Sequence, residues 1–147
     1  MLRDLLVKSI ANTLPMFGLN AQLVEESQQR VLASAEEVNV HVGFTDGMRG
    51  NVVIGFSKET ALGVVSTMMG GGDPGEFGFM AKSALGELGN MLVGGAMMSA
   101  GSAAIINLSA PTIVAGEDMF IVMSRVTSTK LVFDINGRAM VVVFSQE

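Results

Sequence analysis

The 147-residue chain is 49% hydrophobic and 16% charged, with a mean hydropathy of +0.49, which excludes disorder and supplies ample material for a core. A net charge of −5, eight Phe and no Trp or Tyr exclude the basic, stacking surface that nucleic acids need. With no Cys there is no disulfide, thiolate nucleophile or cysteine-ligated metal site; the length fits a single domain over residues 1–147, and a reducing cytoplasm fits the composition.

In chain order, Leu2, Leu5, Leu6, Ser9 and Ile10 recur at helical spacing until Pro15, which predicts an amphipathic helix from about Leu2 to Leu14. Arg3, Asp4 and Lys8 interrupt any signal-peptide core there. A mixed segment follows. Val38, Val40, Val42 and Phe44 then alternate with Asn39, His41 and Gly43, the period of a strand with one buried face. Asp46-Gly47 and Gly50 supply turn residues, and Asn51–Phe56 reads as the returning strand. Ser57 is placed to cap a second helix whose apolar positions Leu62, Val65, Met68 and Met69 share a face.

The stretch GGGDPGEFG is a loop by composition, and a long helix from about Glu76 to Ala103 should follow it. No charge occurs from Leu88 to Gly116, yet only Met91–Ile106 is mostly apolar, short of the roughly 20 residues a membrane span needs. This reads as a core helix, with no membrane partner. Strands are predicted at Thr112–Val114, Met119–Thr127, Lys130–Ile135 and Arg138–Ser145, the last two joined by the hairpin turn Asn136-Gly137. Helices and strands are grouped rather than alternating, so the fold class is α+β, with helices packed on an antiparallel sheet. The last strand, AMVVVF, is apolar on both faces. It is either a central strand or an edge through which the chain pairs into a homodimer.

Several candidate motifs have plain structural explanations. Gly70-Gly71-Gly72-Asp73-Pro74-Gly75 formally fits GxGxxG, but a helix rather than a strand precedes it, so it reads as a helix–helix loop. His41 is the sole histidine and has no GxSxG or ligand cluster to work with, so a strand residue is expected. The 12 Met read mainly as core filler, and the pairs Glu25-Glu26 and Glu36-Glu37 as solvated loop or strand ends.

The long helix is different. At about 100° per residue, Ala81, Leu85, Leu88 and Leu92 form one stripe, while Ser83, Glu87, Asn90, Gly94 and Gly101 form another roughly opposite. Ser83, Glu87 and Asn90 stand at neighbour spacings. Gly86, Gly89, Gly94, Gly95 and Gly101 each cost about 1 kcal/mol of helix propensity against Ala. They suggest either a surface that another backbone approaches closely or close packing on the sheet.

The run Ser83–Ala96, SALGELGNMLVGGA, resembles the active-site helix of the CheC/CheX/FliY chemotaxis phosphatases, whose pattern is Asp or Ser, three residues, Glu, two residues, Asn. The element order resembles the single-site CheX type, and one copy of the motif is visible. The chain departs from the family pattern at Gly95, where Asn is common, and at Gly89, where Ala is common. The resemblance implies a CheX/CheC-like fold and a cytoplasmic phosphatase acting on a phosphorylated CheY-like response regulator. It makes Glu87 and Asn90 the catalytic residues and Ser83 and Gly94 contacts to the partner. Asn90 would orient the attacking water and Glu87 would pair with the regulator's active-site Lys. No metal or cofactor of its own is implied, Mg²⁺ being held by the regulator. Two alternatives stay open: a non-catalytic CheX-like module that binds a regulator or flagellar switch component, and a small-molecule or lipid-binding α+β module.

Overall fold

A computed structural model describes residues 2–45, 49–100 and 107–146. Helix α1 spans Leu2–Thr13 and runs into a 3₁₀ turn at Leu14–Phe17, where Pro15 removes the donor that would continue the helix and Gly18 closes it with a φ of 80°. Strands β1 (Ala21–Gln29), β2 (Leu32–Ser34), β3 (Val38–Thr45) and β4 (Gly50–Phe56) precede helices α2 (Lys58–Met68) and α3 (Phe79–Ser99). Strands β5 (Asn107–Leu108), β6 (Thr112–Ala115), β7 (Ile121–Ser124), β8 (Ser128–Ile135) and β9 (Arg138–Gln146) complete the described elements.

The main sheet is antiparallel in the order β1-β8-β9-β4-β3-β5, with β6 continuing along β3 beside β5. One face of it carries Val38, Val40, Val42, Phe44, Ile54, Phe133 and Val142 into the principal core, where they meet the buried sides of α1, α2 and α3. The opposite face has a smaller apolar cluster of Leu32, Val53, Val141 and Val143, partly covered by the two-stranded β2–β7 ribbon. The α+β class with helices on an antiparallel sheet is therefore what the chain adopts. No helix among the described residues is long and apolar enough to cross a membrane.

Local chemistry accounts for the elements. The Ser57 side chain accepts a hydrogen bond from the Thr60 amide at 3.1 Å, capping α2. Asn136 and Gly137 both have positive φ (50° and 87°), the geometry of a tight β8–β9 hairpin turn. Gly70 and Gly71, also at positive φ, end α2 and open a loop in which Asp73 accepts from the Gly75 amide at 2.8 Å. The GGGDPG stretch is thus a helix–helix loop.

Four expectations need correction. The mixed segment before Val38 contains β1 and β2. Strand β1 is a sheet edge with a bulge between Leu23 and Glu25, which breaks the alternation that marks a strand, and most of its side chains face water. Of the two readings left open for AMVVVF, the central strand is the one adopted: β9 lies between β8 and β4, so it offers no free edge to a second chain. The core side of α2 is Thr60, Ala61, Val64 and Val65, with Leu62 and Met68 half-buried and Met69 50% exposed: the small residues let the helix approach the core, and the larger ones sit at its margin. Helix α3 starts at Phe79, three residues later than expected from Glu76, and the strand expected at Met119–Thr127 is shorter, at Ile121–Ser124. The turn at Asp46-Gly47 and the helix positions at Gly101 and Ala103 lie outside the described residues.

Candidate functional site

Helix α3 carries the candidate site because one side of it is fixed by the core. Ala81, Leu85, Leu88, Leu92, Val93 and Ala96 are buried and make up that side. Fixing it aims the opposite side outward: Ser83 and Glu87 are exposed, and Asn90 and Gly94 are half-buried. By helix geometry Ser83 and Glu87 are about 6 Å apart along the axis and Glu87 and Asn90 about 4.5 Å. The four described residues of the expected stripe share that side, and its fifth, Gly101, lies outside the described residues. Of α3's two charged residues, Lys82 and Glu87, Glu87 is the one on this stripe; the Lys82 ammonium stands 5.6 Å from the centre of the Phe77 ring instead.

The Asn90 carboxamide is unusual. Its Oδ1 is shielded from solvent yet has no hydrogen-bond partner, a condition shared with Gln29 Oε1 and Ser145 Oγ among the described residues. An unpaired buried polar atom costs roughly 1–3 kcal/mol. Packing of the fold gives no return for an amide here.

The glycines of α3 divide into two groups. A Cβ added at Gly89 would lie 2.7 Å from Val40 Cγ1 of β3, and one at Gly86 would lie 3.1 Å from Pro111. A Cβ at Gly95 would lie 2.7 Å from Ser9 Oγ of α1, whose hydroxyl donates to the Leu92 carbonyl at 2.6 Å. These three glycines allow close packing of α3 on the sheet and on α1. In this chain a side chain at Gly89 or Gly95 would force Val40 or Ser9 to move. Gly94 is the exception, because a Cβ there would make only ordinary contact, 3.5 Å from Leu108. Of the glycines expected to open a surface to a partner, it alone among the described ones is both on the stripe and free of a packing demand.

Two residues of this face were not singled out by sequence reasoning. Phe79 and Met80 begin α3 and are 86% and 76% exposed. The available signal was their phase: two large apolar residues that fall outside the Ala81–Leu85–Leu88–Leu92 stripe.

The other candidates fall elsewhere. His41 Nε2 is 2.8 Å from Asn51 Oδ1, paired between neighbouring strands. Glu26 receives the Arg3 guanidinium at 3.0 Å, which raises the pKa of that guanidinium, and Glu37 accepts from the Lys58 amide at the start of α2. Glu25 is exposed on β1.

Comparison with known proteins gives a consistent result. The family model described as "Chemotaxis phosphatase CheX" matches residues 38–136. A CheY-P phosphatase CheX from Thermotoga maritima is 43% identical over 79 residues, 53% of this chain and 51% of that protein, so the chain matches about half the length of that relative. The crystal structure of a chemotaxis protein CheX from Desulfovibrio desulfuricans superposes with a TM-score of 0.86 at 23% identity, covering 99% of each chain. The CheX–CheY–BeF3–Mg²⁺ complex from Borrelia burgdorferi contains a chain that superposes with a TM-score of 0.79 at 21% identity, covering 99% of this chain and 95% of that one. These last two likenesses show a shared fold.

Proposed function

The chain belongs to the CheX family of chemotaxis phosphatases, and from that premise we propose that it dephosphorylates the phospho-aspartate of a CheY-like response regulator. The observation that carries this reading is the Asn90 carboxamide, half-buried beside exposed Glu87 on α3, whose shielded Oδ1 has no hydrogen-bond partner among the described residues, so no bond opposes its turning toward a partner. The Thermotoga maritima relative is a CheY-P phosphatase, and the Borrelia burgdorferi neighbour forms a complex with CheY; both support the reading.

Phosphoryl transfer asks mainly for positioning and charge balance. In this account the regulator supplies the phospho-aspartate and holds Mg²⁺, and this chain contributes no cofactor. Asn90 inserts beside the acyl phosphate and orients a water in line for attack. Glu87 pairs with the regulator's active-site Lys and sets the register of the helix. Ser83 lines the contact one turn away, and Gly94 leaves room for the regulator's backbone. Positioning one water is worth roughly 3–4 kcal/mol, about 10²- to 10³-fold in rate. The regulator reading carries a cytoplasmic site of action with it.

The test is phosphoryl loss from a chemotaxis response regulator. Wild type accelerates it, Asn90→Ala removes the acceleration while binding largely survives, and Glu87→Ala weakens both. Equal rates for wild type and Asn90→Ala across several regulators contradict the proposal.

A further inference from the structure

We propose, on the basis of the regulator reading above, that Phe79 and Met80 form the apolar anchor by which α3 docks on the phosphorylated regulator. The anchor would set affinity and partner choice separately from the chemistry at Asn90. Phe79 and Met80 are 86% and 76% exposed at the head of the helix. Ser83 lies four residues after Phe79 and three after Met80, so both apolar side chains adjoin it, and Glu87 and Asn90 continue the same face.

The fold makes no use of the pair. A hydrophobic residue near a helix start often serves as a staple to the first turns, but Phe77 does that work here: it is partly buried, packs against the core and has the Lys82 ammonium over its ring. The cap residue Gly78 makes no side-chain cap, and the core stripe of α3 begins at Ala81. Single exposed apolar residues are ordinary on protein surfaces. Two adjacent ones at the end of a polar, small-residue stripe have the arrangement of an interface anchor.

The face also specifies what covers it. With Lys82 drawn toward Phe77, Glu87 supplies its charge. The complementary surface therefore presents a cation to Glu87 and an apolar patch about 10–12 Å away, the axial separation of Glu87 from Met80 and Phe79. A phosphorylated regulator fits if an apolar patch lies at that distance from its active-site Lys. Anchoring of this kind stabilises ground state and transition state alike, so its loss appears in Kd and KM rather than in the rate at saturation.

The experiment measures the Kd of the full chain for a beryllofluoride-activated response regulator together with the phosphoryl-loss rate at saturating protein. Phe79→Ala and Met80→Ala each weaken binding about tenfold and the double variant more, with the saturated rate retained. Phe79→Leu keeps most of the affinity. Phe120→Ala is the control: Phe120 is 69% exposed beside Val141 and Val143 on the other face of the sheet, and its loss changes neither quantity. Wild-type binding with a Kd within twofold in the double variant overturns the anchor and leaves the phosphatase reading intact. A wild type that neither binds nor accelerates any regulator overturns both.

Discussion

The two sides of α3 follow opposite packing rules. On the inward side, Gly89 and Gly95 bring the helix so close to Val40 and Ser9 that an added methyl would sit 2.7 Å from each. On the outward side, Gly94 faces only ordinary contact, Glu87 is exposed, and Asn90 keeps an oxygen with no partner. Glycine content alone therefore does not mark a binding surface: the same residue type is required by interior fit on one side and carries no packing demand on the other. What separates them is the cost of a side chain, set by the neighbours. The tight side holds the helix in place and so fixes the direction of the open side.

Substitutions test the contrast directly. The largest effect is expected from Gly89→Leu, which forces a bulky side chain between α3 and β3. It should destabilise by about 3 kcal/mol or more, after a gain of roughly 1 kcal/mol in helix propensity, seen as a lower urea midpoint. Gly94→Ala, on the open side, is the natural comparator for that measurement.

The Ser9–Gly95 contact should show coupling. Gly95→Ala places a methyl against the Ser9 hydroxyl, whereas Ser9 Cβ is 3.7 Å away. Removing the hydroxyl therefore makes room. In a double-mutant cycle with Ser9→Ala, the cost of Gly95→Ala falls by about 1 kcal/mol, and strict additivity would show that the hydroxyl does not limit the approach of the two helices.

The smallest effect concerns Asn90 itself. Because its Oδ1 is unpaired and shielded, Asn90→Ala relieves a desolvation cost. It should leave stability unchanged or raise it by up to about 1 kcal/mol. A clear loss of stability in urea would mean that the carboxamide has a structural task.

Much of this was legible in the sequence, and the exceptions have physical causes. The alternation of Val38, Val40, Val42 and Phe44 reports a strand with one buried face, and β3 buries all four, with Asn39 on its other side buried as well. Ser57 and Asn136-Gly137 act as the cap and turn their chemistry predicts. Strand β1 escaped because its bulge shifts the alternation out of phase and an edge strand needs few apolar residues. For β9, an apolar pattern on both faces does not distinguish centre from edge; that is decided by strand order, which arises from long-range pairing. In α3 the spacing located Ser83, Glu87, Asn90 and Gly94, since a helix converts spacing into direction. Val40, Ser9 and Pro111 come from distant parts of the chain, so the reason for Gly89, Gly95 and Gly86 appears only in the fold.

The most direct test of the account is the rate of phosphoryl loss from a response regulator at saturating wild-type protein and at saturating Asn90→Ala, with the folded state of both verified by urea unfolding. The account predicts an acceleration of about 10²- to 10³-fold for wild type, and for the variant the regulator's own rate at undiminished stability. An Asn90→Ala protein that is equally stable and equally fast would contradict it.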